Sequence, residues 1–201
     1  LYAIHSDAAT RRVLGVEAAD PALPLYVGKA QDSLFERVVG RHFATGKTGT
    51  STIRRTLAAL LRDDLSLEAR PRNPRNPADF SMYGLEPGGD ARLTEWMRGN
   101  LVVACWAYDR SRPLGNIEDD VLDRWQPPLN IDGVHHRWVA AVKAKRKLMA
   151  DEARSWAEAN TSIAPGAGVG GGRSRRLDVR PPVCPGCGIE LPKTGQCDYC
   201  A

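Results

Sequence analysis

The chain has 201 residues, 42% hydrophobic and 26% charged, with 28 basic against 24 acidic side chains and a formal net charge of +4. That length suits one ordinary core-forming domain with something small beside it. No apolar run approaches the ~18 residues of a membrane span, residues 101–108 being the longest, and so mild a basic excess permits a nucleic-acid partner without establishing one.

In chain order, residues 2–5 read as a first strand. Residues 6–24 then form an unusually long hairpin connection, in which Arg11-Arg12-Val13-Leu14 suggests an added strand. Leu25-Tyr26-Val27 is a second β-prone run, closed by Gly28, where a missing Cβ allows close approach. A helix follows. Ser33 and Glu36 stand at capping-box spacing, and Leu34, Phe35, Val38, Val39 and Phe43 form its apolar stripe. Arg37 lies off that stripe, one helical turn along from the Tyr26–Gly28 edge.

Gly46-Lys47-Thr48-Gly49-Thr50 invites a phosphate-loop reading, but five residues rather than four separate Gly40 from Gly46, and a helix rather than a strand precedes it. It reads instead as a turn feeding an N-cap at residues 50–52. A helix over 53–63 carries Arg54 and Arg55 in its first turn, where they oppose the helix dipole. Such placement can mark a phosphate-binding face, or simply a solvated one. The proline-rich residues 71–77 are a surface loop, and a short helix spans 93–98. Residues 101–108 read as a central strand buried on both faces, with Cys105 a small core residue. Asn116 caps a helix over 117–125, which Pro127-Pro128 stops. A longer amphipathic helix over 136–159 carries Lys143, Lys145, Arg146 and Lys147 together, a cluster that fits a solvated face or a nucleic-acid contact.

Beyond this domain, residues 1–160, composition changes sharply. Residues 161–183 form a Gly/Pro/Arg-rich linker. Residues 184–201 hold two Cys-x-x-Cys knuckles, Cys184/Cys187 and Cys197/Cys200, nine residues apart. Four thiolates at that spacing are the zinc-ribbon pattern, and a unit so short needs its metal to fold. Thiolates at metal spacing point to a reducing, cytoplasmic setting. The ribbon could serve a protein partner or nucleic acid. Because the sequence opens on Leu1, a trimmed or partial chain is expected.

Tyr26-Val27-Gly28 followed by Arg37 resembles the second half of the GIY-YIG nuclease signature, with Leu1-Tyr2-Ala3-Ile4 in place of the first half, its glycine absent. Glu118 and Pro127-Pro128-Leu129-Asn130 resemble the family's later glutamate and closing segment. The resemblance implies an α+β fold with a small mixed three-stranded sheet flanked by helices. It also implies DNA as partner and hydrolysis of phosphodiester bonds with Mg²⁺ or Mn²⁺. Within it Glu118 would hold the metal, the alternatives being that Glu118 only complements its helix N-terminus or that Asp119, one residue away, takes its place. Arg37 would meet the transition state, and Tyr2 and Tyr26 would orient or deprotonate the water. Asn130 would lock the backbone beside the site. The family carries Tyr or His four residues after its arginine; here that place is Arg41, and His42 is one further on. Either Gly40 distorts the turn and delivers His42 to the site, or His42 is a packed core residue. Lys29, Arg54, Arg55, Lys145 and Arg146 are the candidate nucleic-acid contacts. The rival reading is a binding module that keeps the fold and has lost hydrolysis, which the absent glycine and displaced histidine favour.

Overall fold

The computed structural model describes residues 1–73, 77–107 and 112–161. All belong to the first of two units, Leu1–Ala164; the second, Pro165–Ala201, lies outside the described residues. With it go the expected linker beyond residue 161 and the ribbon cysteines Cys184, Cys187, Cys197 and Cys200.

The chain runs β1 (Tyr2–His5), α1 (Ala8–Val13), β2 (Tyr26–Gly28), then α2 (Leu34–Arg37), which continues as a π-helical turn (Val38–His42). Next come α3 (Thr52–Leu60), β3 (Ala69–Arg70), β4 (Gly84–Leu85), α4 (Pro87–Asn100), β5 (Val102–Cys105), α5 (Leu114–Trp125) and α6 (Val139–Thr161). The architecture is α+β, a three-stranded sheet with helices around it. Its strand order is β2-β1-β5, and β3 pairs only with β4. The expected mixed sheet is wrong: both ladders are antiparallel. β2 and β5 run the same way, but β1 stands between them, so no parallel pair forms.

Register decides what each face carries. Tyr2 lies opposite Gly28 and Ile4 opposite Tyr26, so the two tyrosines sit diagonally on one face. That face joins the main core with Val38, Ile53, Leu57, Leu93 and Met149. The alternate residues Ala3 and Val27 meet Val121 and Leu122 of α5 in a smaller cluster on the other face.

The apolar stretch over 101–108 is not the central strand. β5 pairs with β1 alone, and Val102 and Trp106 are 67% and 46% exposed, with Cys105 exposed too. Four-residue β1 takes the centre because its ladder partners come from both sides. The Arg11–Leu14 segment is helix rather than strand, since Asp7 caps α1 by accepting the Thr10 amide at 2.7 Å. In the α2 stripe Val38 is buried while Phe35 and Val39 face outward. α4 is longer than expected, starting from Pro87 at its first turn, and α5 begins at Leu114, leaving Asn116 inside it rather than at its cap.

Arg54 overturns the expectation of a surface cation. It is fully buried, because the α3 face that carries it packs inward with Ile53, Leu57 and Ala58. Its guanidinium pairs with Asp90 Oδ1 at 2.5 Å and donates to Thr94 Oγ1 at 2.9 Å, Thr48 Oγ1 at 3.0 Å and the His42 carbonyl at 3.1 Å. No face of it is left for a phosphate. Among the described residues no helix is long and apolar enough to cross a membrane.

Candidate active site

Gly28 is where the site begins. A Cβ there would stand inside the Tyr2 hydroxyl and 2.6 Å from Tyr2 Cζ, so only glycine lets the Tyr2 ring lie across β2. The ring centroids of Tyr2 and Tyr26 are 6.3 Å apart. Burial raises the pKa of both phenols, and Arg37 pulls against that rise at each. Both therefore stay protonated near neutral pH and act as O–H donors.

Asn130 holds this edge of the sheet. Its Oδ1 accepts the Val27 amide and its Nδ2 donates to the Val27 carbonyl, each at 2.9 Å. The side-chain amide thus takes the place of a neighbouring strand, and the Leu129 amide adds a bond to the Leu25 carbonyl. His136 Nε2 sits 3.0 Å from the Asn130 carbonyl.

His42 is packed in the core and also touches Tyr2. It is fully buried, and it faces the tyrosines: Nε2 is 2.6 Å from Tyr2 Oη. The π-helical turn explains how. The Phe43 amide bonds the Val38 carbonyl at 2.9 Å, five residues back, so one turn holds an extra residue. A residue five after Arg37 then falls on the face that a residue four after it would take in an α-helix. Glu36 packs against Gly40 within this turn, and a Cβ there would meet Glu36 Oε2 at 2.9 Å.

Burial, reinforced by the charges of Arg37, Arg41 and Arg54, lowers the His42 pKa from 6.5 to about 3. Between those values the unfolded chain binds the proton and the folded one does not, so stability rises with pH across this window and is lost as pH falls through it. Replacing His42 by Gln should flatten the urea midpoint's dependence on pH in the upper part of that window, before carboxylates titrate. Equal slopes for wild type and variant would mean that the folded state accepts the proton.

Glu118 comes from α5 and pairs with Lys29, the residue after β2, at 2.9 Å. Its charge is felt at both tyrosines. Asp119 points to solvent and Asp120 pairs with Arg112, so Glu118 is the α5 carboxylate turned to the site. Among the described residues no group of three or more His, Cys, Asp or Glu could hold a metal. A magnesium ion needs only one or two carboxylates when phosphate oxygens and waters complete its shell, and a hard-oxygen donor such as Glu118 fits that demand.

Beside this corner opens a cleft of about 860 Å³ whose lining includes Lys29, Arg37, Arg41, Lys47, Arg55 and Arg72. Two carboxylates, Asp32 and Glu36, share it. Arg37 Nε is buried without a hydrogen-bond partner. Arg55 donates to the Gly49 carbonyl at 2.8 Å, and burial with the neighbouring Arg146 lowers its pKa to about 10. Of the expected nucleic-acid contacts, Lys29 and Arg55 therefore line the cleft and Arg54 does not. Lys145 lines a separate small depression with Arg12 and Trp138, and Arg146 is close enough for its charge to act on Arg55.

Sequence reasoning missed Ser51 and Lys47, and gave Arg41 and Arg72 no place in the cleft. Ser51 Oγ lies 2.7 Å from His42 Nδ1. Its only sequence signal was the helix start, which it does cap, accepting the Arg54 amide at 3.2 Å. Lys47 and Arg72 come from segments that sequence alone reads as turns, with nothing to say that both border one cleft.

The family model described as the GIY-YIG catalytic domain matches residues 14–152, well over half of the chain. That span contains Tyr26, Arg37, His42, Glu118 and Asn130; Tyr2 precedes it and joins the group through the β1–β2 register. No curated protein and no solved structure matches the chain.

Proposed function

Since the chain belongs to the GIY-YIG catalytic domain family, we propose that it is a metal-dependent endonuclease that hydrolyses phosphodiester bonds in DNA. The observation that carries this reading is the six-cation cleft lined by Arg37, whose charge also acts on the buried phenols of Tyr2 and Tyr26. Cations along a groove neutralise a phosphate backbone, and Arg37 links that groove to the phenols.

Arg37 is suited to the transition state, because its fork matches two phosphate oxygens and one of its buried donors has nothing else to bind. A water against Tyr2 can give its proton to the phenol oxygen while the phenol proton passes to His42 Nε2, 2.6 Å away. His42 becomes imidazolium in that step. Phosphate bound at Arg37 and Arg41 favours the change, since it offsets two of the charges that keep the ring neutral. Glu118 would hold Mg²⁺ or Mn²⁺. The ion would supply Lewis-acid stabilisation of the phosphate and its leaving oxygen. At the other end of the chain, the spacing of Cys184, Cys187, Cys197 and Cys200 supports a structural zinc, on a ribbon open to a protein partner.

Incubating the full chain with supercoiled plasmid and Mg²⁺ or Mn²⁺ should give nicked and then linear product, stopped by chelator. Arg37→Ala should slow nicking by about 10²-fold, the scale of losing one transition-state donor, and Arg37→Lys should restore little of it. A lysine variant at full rate would reduce Arg37 to a source of charge. A second reading, a binding module without hydrolysis, draws on Leu1 standing where the family carries glycine. Tight plasmid binding with no nicking under either ion would select it.

A further inference from the structure

The histidine ring at the end of the tyrosine pair makes two contacts of opposite kind. Nε2 faces Tyr2 Oη at 2.6 Å, and Nδ1 faces Ser51 Oγ at 2.7 Å. Both partners and the ring are buried, so no water competes for either nitrogen. A neutral imidazole carries one N–H, and what it can do at Tyr2 depends on which nitrogen holds that proton.

The Tyr2 side points to an answer. Tyr2 is buried, so its phenol proton needs an acceptor within the fold. The acceptor in reach is His42 Nε2. Nδ1 must then carry the ring proton and donate it to Ser51. We propose that Ser51 is a positioning residue: its hydroxyl accepts the Nδ1–H of His42 and so keeps Nε2 as a bare acceptor behind Tyr2. This assignment rests on the nuclease reading, in which Nε2 takes the phenol proton. The π-helical turn brings the ring to Tyr2, and the start of α3 settles how the ring is protonated. Ser51 is well placed for the task, because accepting the Arg54 amide fixes Oγ at the helix N-terminus.

The test separates this role from helix capping. Ser51→Gly removes the hydroxyl but keeps a residue tolerated at N-caps, and Ser51→Thr keeps the hydroxyl. The full chain, labelled with ¹⁵N-histidine and free of substrate, contains only four histidines, and His42→Gln identifies the relevant signal. Wild type and Ser51→Thr should show the Nδ1–H form. Ser51→Gly should show Nε2–H or a mixture, with kcat lowered by at least roughly tenfold and KM unchanged. An Nε2–H ring in the wild type, or an unchanged tautomer in Ser51→Gly, would overturn the assignment. The spectrum needs no turnover. The expected tautomers with no cleavage by any form would overturn the nuclease reading and leave the Ser51–His42 contact standing.

Discussion

Replacing Glu118 by alanine is expected to abolish plasmid cleavage while leaving nucleic-acid binding intact. Glu118 is the α5 carboxylate whose charge reaches the tyrosine pair, and it pairs with Lys29 at 2.9 Å. Without it the carboxylate proposed to hold Mg²⁺ or Mn²⁺ is gone, and the rate should fall by at least roughly 10³-fold, the upper range for loss of a single electrostatic stabiliser. Binding should hold or tighten. Lys29 already lines the cleft, and releasing it from Glu118 adds a cation to the phosphate-facing surface. Nicking rates with Mg²⁺ and fluorescence anisotropy in chelator measure the two effects separately. Full activity in the alanine variant would place the metal elsewhere and end the assignment of Glu118. Glu118→Gln should behave like alanine, because an amide keeps the shape and loses the charge.

Asp90→Ala should cost on the order of 3–5 kcal/mol in urea unfolding, the range for breaking a buried pair from one side. Arg54 is fully buried and would keep its charge with its anionic partner gone. Its remaining bonds to Thr48, Thr94 and the His42 carbonyl are to neutral groups. Removing both partners, in Arg54→Leu with Asp90→Leu, should recover much of that loss, since apolar replacement of a whole buried pair is often close to neutral. The double variant should still nick DNA poorly, because the His42 backbone loses its anchor. A single variant that loses less than about 1 kcal/mol would show that Arg54 finds solvent when Asp90 is gone.

What could be read before the fold was known follows a physical line. Tyr26, Gly28 and Arg37 could be brought together from local geometry, a strand edge and a helix turn, whereas Glu118 and Asn130 were singled out only through the family resemblance. Arg54 was not legible. Its partner is 36 residues away, and a first-turn arginine looks the same in sequence whether it meets solvent or Asp90. β5 was misjudged for a related reason, since an apolar run reports a preference for burial and says nothing of which strand takes the middle. For α1 the signal was present and overlooked: Asp7 ahead of Thr10 is an N-cap spacing, and the apolar Val13-Leu14 drew the eye to a strand. His42 could not be decided from spacing at all, because its side depends on whether the turn holds four residues or five.

That wide turn has the character of an insertion. A chain shortened by one residue between Val38 and Arg41 could run on as ordinary α-helix and still set its histidine opposite Tyr2. Length in this segment is therefore free to drift, while the direction of the imidazole is not. Columns matched by counting from the arginine would put Arg41 in the histidine's place and score the chain as broken, although the ring is where the chemistry would want it.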